Sequence, residues 1–519
     1  MAFAVTKRTK VMIGLGAVGL VCVIIGCVFV GVTDNIIHSE ISSRMPLNQK
    51  GETYDQWKRS KAPIYFQVWA FDLLNPDAVL KGEKPEVKQK GPYTYRNERS
   101  KHHIKFSDDG TVYYKQETNY IFERDLSVGL DSDTVTVTNL AMASVMSLLR
   151  FENDFTKAVV EQIFKSFKQT LFIKVSVHDL VWGYEDELLK ALAPLAKQRN
   201  ITLPANNTIG LFTGHNDTES DEFVIYSGQK GLDNFAEIIS WNGQKELSLW
   251  TSDYANTLNG SLGTLFPPFV EKEERHYFFS TDLLRTLSLE FQKEVSEHGV
   301  PLYKFVTPPD DFANVTINPS NAGFCTPAEH CLPSGLLNIS NSHYGAPVVA
   351  SNPHFLFCDE DIRKSVKGLS ADRNAHQTHV NLEPLTGVNM DFAIRVQINV
   401  HLEKIKGFKE TEHLSSIFMP TAWLSENAQM TKQQAKDFKS QVLDLITALH
   451  VIKYGFLALG CLQLVIAAFI PITCKLLSKG SSRKGKGDIQ TYKPRKRRTR
   501  KESSDSEVDP LVASYMDSD

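Results

Sequence analysis

Two long apolar runs without a single charge stand at opposite ends of this 519-residue chain, and they constrain it more than any other feature. The first, VMIGLGAVGLVCVIIGCVFVGV, covers residues 11–32; the second, YGFLALGCLQLVIAAFIPITC, covers residues 454–474. An α-helix rises about 1.5 Å per residue, so about 20 apolar residues cross a bilayer core and each run suffices. Lys7, Arg8 and Lys10 precede the first run, and Lys475, Lys479, Arg483, Lys484 and Lys486 follow the second. Basic flanks stay on the cytoplasmic side, so residues 1–10 and 475–519 are expected there, with residues 33–453 facing the lumen or the outside. The first run is longer than a signal-peptide core and lacks a small-x-small cleavage site before Thr33. An uncleaved signal-anchor is therefore expected, giving a two-pass membrane protein.

Six Asn-x-Ser/Thr sequons, at Asn200, Asn206, Asn216, Asn259, Asn314 and Asn338, all fall between the runs. That confinement agrees with a lumenal middle, since glycan acceptors belong on wet secretory surfaces. Of seven cysteines, Cys22, Cys27 and Cys461 lie inside the runs and Cys474 at the edge of the second. Cys325, Cys331 and Cys358 remain for the lumen. In an oxidising compartment Cys325 and Cys331 can close the short loop CTPAEHC, a clip worth roughly 2 kcal/mol. Cys358 is left as a buried thiol.

Between the runs the hydrophobic period changes twice. IYFQVWAFDLL, EVKQKGPYTYR and TVYYKQETNYIF alternate at period two and are bounded by turn signals, which predicts strands. Over residues 138–196 the period becomes helical. Phe151, Phe155, Val159, Ile163, Phe167 and Leu171 recur every four residues, with Val160 and Phe164 beside them and Lys157, Glu161 and Lys165 as a charge ladder. A second helix is expected over residues 178–193. Strand patterns return with EFVIYSG, AEIISWNG, HYFFSTD, PLYKFVTP, VVASNPHFLF, HVNLEPLTGV and FAIRVQINVHLEKI. The order predicts a large antiparallel β structure with a helical cap. The stripe through Phe151 and Phe155 has two readings, a core face or an exposed apolar patch for a partner or lipid, with Lys165 and Lys168 placed to meet an acidic group.

Motifs for catalysis are lacking: no nucleophile elbow, P-loop or CxxC pair occurs, so no enzyme is expected. Gly14, Gly16 and Gly19 spell GxGxxG, with Asp34 at the distance of a ribose ligand, but inside an apolar run the strand and βαβ unit are missing. Helix contact is the better use, with Gly19, Cys22 and Gly26 on one face. His376 with His379, and His102 with His103, lack the companions of a metal site, and no cofactor is expected. The tail pairs a basic block, residues 493–501, with an acidic Ser-rich end, a disordered composition; the basic part resembles a nuclear import signal but on a membrane protein suits anionic lipid, and no nucleic-acid partner is expected.

Six stretches resemble the class B scavenger receptor family: KGPYTYR (90–96), FERDLSVG (122–129), LVWGYEDELL (180–189), LNGSLGTLFPPFV (258–270), NPHF (352–355) and LEPLTGV (382–388). They run in order through the whole middle segment. AGFCTPAEHCLPSGLLNIS, TLFIKVSVHDLVWGYEDE and IISWNGQKELSLW look nearest to the family's lysosomal member. The resemblance implies a flattened antiparallel β-barrel, a membrane-distal three-helix bundle and an apolar tunnel that carries cholesterol, fatty acids or other lipid. It implies an endosomal or lysosomal receptor, with Phe151, Asp154, Phe155, Lys165 and Lys168 on the ligand or cargo helix. The lysosomal glucosylceramide hydrolase would be the cargo.

Two departures bear on that expectation. Leu284 and Ser342 stand where the family's additional lumenal disulfide would need cysteines. Asp154 stands where the lysosomal member has a pH-sensing histidine, and a carboxylate does not switch between pH 7 and 5 as imidazole does. In the tail, Glu507, Leu511 and Val512 resemble an acidic dileucine signal for a clathrin adaptor, Val512 replacing Leu or Ile. A plasma-membrane scavenger or lipoprotein receptor is the alternative within the family. A two-span ligand-gated channel is the alternative outside it, and three lumenal cysteines are few for one. A homo-oligomer is left open.

Overall fold

The computed structural model describes residues 7–482 apart from 61, 199, 200 and 329. Asn200, the basic block 493–501 and the expected signal at Glu507, Leu511 and Val512 lie outside the described residues. The chain divides into two compact units, Met1–Val30 with Ile452–Asp519, and Gly31–Val451.

In the first unit the two apolar runs are helical and long enough to cross a membrane. They belong to the helices Lys7–Arg44 and Asp444–Ser482, which continue well beyond Val32 and begin well before Tyr454. Small residues set how closely they approach. A Cβ on Gly19 would lie 3.1 Å from the Gly460 carbonyl oxygen, one on Gly26 would lie 2.6 Å from Leu457 Cγ, and one on Gly460 would lie 2.7 Å from Val23 N. Cys22 is buried on the same face. Packing of this kind supplies association where lipid gives no hydrophobic driving force. The rings of Phe29 and Phe456 stack at 6.5 Å.

The second unit is built on one antiparallel sheet of 13 strands. From one edge its main path is His276–Ser280, Arg285–Glu297, Val300–Val306, His379–Leu382, Asn389–Leu402, Ile417–Gln429, Ile64–Leu73, Val87–Phe106, Thr111–Phe122, Thr218–Tyr226 and Ile238–Trp241. Two short strands, Leu336–Asn338 and Val348–Ser351, branch from Asn389–Leu402. The two edges are bridged by the turn at Gly260 and Ser261. Ile238 N donates to Gly260 O at 2.9 Å on one side, and Phe279 N donates to Ser261 O at 2.8 Å on the other. Gly260 has φ +73°, and a Cβ there would overlap the Tyr277 carbonyl, so glycine is required where the sheet nearly closes into a barrel.

Strand periodicity sends alternate side chains to two cores. Phe66, Val68 and Ala70 join the core inside the sheet, with Tyr95, Phe278 and Leu424. Their neighbours Phe71 and Leu73 join the other core, on which the helices Leu140–Leu148, Asp154–Ser166 and Glu187–Gln198 pack through Met142, Phe164 and Leu188. The side chains of Asn139 and Asn153 cap the first two helices by accepting from Met142 N and Thr156 N.

Three sequence expectations change here. The helix over the Phe151 stripe is shorter than its periodicity, running only Asp154–Ser166, with Phe151 in the preceding turn and Phe172 already in the strand Phe172–Ser176. The stripe divides between the two readings: Phe151, Phe155, Val159 and Phe167 are exposed, the first two at 89% and 79%, while Val160, Phe164 and Leu171 are buried in the core, with Ile163 packed against it and Lys157 turned inward. The second expected helix is broken into Val177–Trp182 and Glu187–Gln198. Gly183, at φ +98° against Thr208 and Ile209, turns the chain between them.

Candidate functional site

A cavity of about 1190 Å³ lies in the Gly31–Val451 unit. Apolar side chains from facing strands, among them Phe66, Phe278, Ile394, Val396 and Leu424, form much of its wall. Ile36 and Ile37 from one end of the sequence, and Leu445 and Ile446 from the other, also line it. Ordinary small-molecule pockets measure roughly 300–1,000 Å³, so this space admits a molecule of lipid size.

Charges interrupt the apolar wall. Arg99, Lys101, His215, Asp221, Asp282 and Glu426 all face the cavity. Arg99 is paired with Glu426. Lys101 Nζ donates to the Trp57 carbonyl at 2.8 Å and sits over the rings of Trp57 and Tyr114, 5.2 and 5.6 Å from their centroids. Burial first, and then the charge of Arg99, bring the Lys101 ammonium down to about 7. Burial raises the Asp282 carboxyl. Sequence reasoning missed this belt, although a signal was there. Asn97, Arg99 and Lys101 continue the inward parity of Tyr93 and Tyr95 along Val87–Phe106, where alternation calls for apolar side chains.

The second candidate surface is the outer face of Asp154–Ser166. Phe151, Phe155 and Val159 are exposed there, and the Arg150 guanidinium lies 4.9 Å from the Phe151 ring centroid. Asp154 is exposed and lies 3.9 Å from Lys406 Nζ. Lys165 pairs with Glu161 at 3.7 Å, and Lys168 is exposed at φ +51° beyond the helix end. The structure therefore gathers Phe151, Asp154, Phe155, Lys165 and Lys168 on one short helix and its flanks.

Cys325 and Cys331 form a disulfide, and Cys358 is a buried free thiol whose Sγ meets Gly335 O at 3.3 Å. Leu284 packs beside the inner core, and Ser342 Oγ donates back to Ile339 O at 2.8 Å. Asn206, Asn216 and Asn259 are exposed. Asn314 and Asn338 are half-buried, their Nδ2 groups each donating to a carbonyl at 2.8 Å, of Leu332 and Thr326 respectively. His376 does not join His379. It stacks on His354 at 4.3 Å, while His379 Nε2 lies 3.2 Å from Asp391. His102 meets Glu117 at 2.9 Å, and no metal-holding group of three ligands occurs among the described residues.

A model of the CD36 family matches residues 16–470, reaching into both apolar runs. The chain belongs to the CD36 family. Scavenger receptor class B member 1 of Sus scrofa is 30% identical over 497 residues, covering 94% of this chain and 96% of the relative. Lysosome membrane protein 2 of Rattus norvegicus is 33% identical over 456 residues, covering 87% and 92%. The human lysosome membrane protein 2 is 32% identical over 454 residues, again covering 87% and 92%. Scavenger receptors and lysosomal membrane proteins thus lie within a few per cent of one another in similarity. Identity alone does not assign the chain to either. The six stretches from KGPYTYR to LEPLTGV all fall inside the CD36-family match.

Proposed function

We propose that this CD36-family chain is a lipid-handling receptor of endosomal and lysosomal membranes. It binds cholesterol, fatty acids or related amphiphiles in the cavity of its lumenal unit. The observation that carries this reading is the cavity itself: about 1190 Å³, walled largely by Phe, Ile, Val and Leu side chains inside a nearly closed sheet. Burying an acyl chain there gains about 0.8 kcal/mol per methylene, which a flat polar surface cannot offer. Both termini are cytoplasmic in this account, following the basic flanks of the two runs.

The Phe151–Phe155 face is the docking surface for a protein or lipid particle. Should the lysosomal glucosylceramide hydrolase dock there, Asp154 supplies no imidazole to release it between pH 7 and 5. The tail residues Glu507, Leu511 and Val512 bring the protein inward through a clathrin adaptor. A plasma-membrane lipoprotein receptor is the second reading, favoured by the similarity to scavenger receptor class B member 1.

The test is photo-crosslinking of the purified full-length protein with photoreactive cholesterol and a photoreactive fatty acid. Saturable labelling within residues 33–453, displaced by unlabelled lipid, is expected. Labelling confined to the two apolar helices would make the lipid merely annular and remove the proposal.

A further inference from the structure

A second cleft, of about 860 Å³, lies in the Gly31–Val451 unit and shares no lining residue with the cavity inside the sheet. Asn259 is on its wall, at the turn that bridges the two edges of the sheet. Among the described sequons it is the only one that lines either space. The backbone sets two other wall residues beside it. Ile238 N donates to Gly260 O at 2.9 Å, which brings Glu237 to one side, and Ser261 N donates to Tyr277 O at 3.1 Å on the other. Chains bonded in this way lie about 4.8 Å apart. The Asn259 amide is itself held in place: Oδ1 accepts from Gly260 N at 2.9 Å, while Nδ2 has no hydrogen-bond partner among the described residues. Asn314 and Asn338 spend their Nδ2 groups on carbonyls instead. A substituent on Asn259 therefore costs the fold no hydrogen bond.

The wall suits a carbohydrate. The Tyr277 ring is exposed, and His38 stacks on Phe269 at 4.2 Å, so flat rings with negative faces are offered to the C–H groups of a sugar. Glu237 and Glu274 have no hydrogen bond or ion pair among the described residues. Burial, and then the charge of Glu274, raise the Glu237 carboxyl. Ionised carboxylates accept hydrogen bonds and donate none, so they call for a ligand rich in hydroxyl donors and repel an anion. A free organic cation would also be drawn to them, but the acceptor asparagine on the wall favours the sugar. A ligand tethered beside its site stays at a roughly millimolar effective concentration, so individually weak contacts are enough to seat it.

We propose that the N-linked glycan of Asn259 folds back into this cleft and fastens residues 38–46 to the closure of the sheet. Its first sugars lie on Tyr277 and on the His38–Phe269 stack, and their hydroxyls donate to Glu237 and Glu274. In the attachment step Asn259 Nδ2 gives up one proton and bonds to C1 of the first N-acetylglucosamine. The diphosphate of a lipid-linked oligosaccharide donor leaves with the electron pair of the broken C1–O bond.

The full-length protein is purified from animal cells that attach oligomannose glycans and treated, folded and denatured, with a peptide-N-glycosidase. Release is read site by site from peptide masses. At Asn259 it should be at least tenfold slower in the folded protein than in the denatured chain, and slower than at Asn206 or Asn216, which are exposed and outside the cleft. Tyr277→Ala keeps the sequon and removes an exposed ring, and should speed folded-state release at Asn259 at least fivefold. Hydrogen exchange over residues 38–46 should quicken at least threefold in Asn259→Gln and Tyr277→Ala and stay unchanged in Asn206→Gln. If Asn259→Gln does not reach the folded state, Tyr277→Ala decides alone. An unglycosylated Asn259 overturns the proposal, as does folded-state release there as quick as in the denatured chain. Slow release that Tyr277→Ala leaves unchanged, with no change in exchange over residues 38–46, overturns it as well. None of these outcomes bears on the lipid reading, which rests on the other cavity.

Discussion

Lys157, on the helix Asp154–Ser166, turns inward and donates from Nζ to the Arg150 carbonyl at 2.8 Å. A Cβ on Gly407 would come within 2.9 Å of its Cδ, so glycine makes room for the lysine stem. With Lys157, Val160 and Phe164 on the inner side, Phe155 and Val159 are left outside. The ammonium is satisfied by a backbone oxygen, so a lysine takes a place that simple patterning gives to an apolar residue.

That orientation predicts unequal costs for the phenylalanines on this helix and in the turn before it. Phe164, buried and paired with the Phe408 ring at 5.8 Å, should lose about 3–5 kcal/mol of stability as Phe164→Ala. Phe151→Ser and Phe155→Ser should stay within about 0.5 kcal/mol of wild type, because neither ring is buried. Denaturant unfolding of the purified protein measures both.

Closure of the sheet depends on one residue without a side chain. Gly260→Ala adds a Cβ into the Tyr277 carbonyl at a positive φ. The change should cost at least about 1–2 kcal/mol and loosen both Ile238–Trp241 and His276–Ser280. Hydrogen exchange at Ile238 and Phe279, which bond to this turn, should quicken while exchange at Leu424 stays slow.

Acid should weaken the lumenal unit through His354. Its Nδ1 accepts from Ser370 N at 3.1 Å, and its Nε2 shares the Gln89 Oε1 acceptor with Trp423 Nε1 at 2.6 and 2.7 Å. These partners fix the neutral ring with its proton on Nε2, and a second proton would face an N–H. Burial, and then His376, lower its pKa from 6.5 to about 4. Over that window the unfolded chain binds more protons than the folded one, so stability falls as pH falls. From pH 6.5 to 5 the loss is roughly 1.5 kcal/mol from this group. His354→Gln, whatever its absolute stability, should flatten that slope in melts taken across the same range.

Much of the sheet is legible in the sequence because half-buried strands alternate, as Ile64–Leu73 does. Ile417–Gln429 escaped because it is buried on both faces and reads as a continuous apolar run containing Pro420, a residue that argues against a central strand. The sheet accepts that proline at a register shift opposite Ile398 and Asn399. The break at Gly183 escaped because a glycine inside helical periodicity looks tolerable until Thr208 and Ile209 are seen beside it. A helix over this stretch was expected, but its outward face was not settled, since periodicity gives a stripe and not the side on which the core lies. Of the charged belt only the inward parity of Arg99 and Lys101 on one strand was legible, because its other members, such as Asp282 and Glu426, come from elements far away in sequence.

The central claim is that lipid occupies the sheet cavity, and the most direct measurement is the position of the crosslink. Val396 lines the cavity on Asn389–Leu402, so Val396→Trp should fill part of it. Peptide mapping after photo-crosslinking should place the label on 389–402, 417–429 or another lining segment, with a several-fold loss in Val396→Trp. Label found only within 11–32 and 454–474, and unchanged by Val396→Trp, would contradict the account.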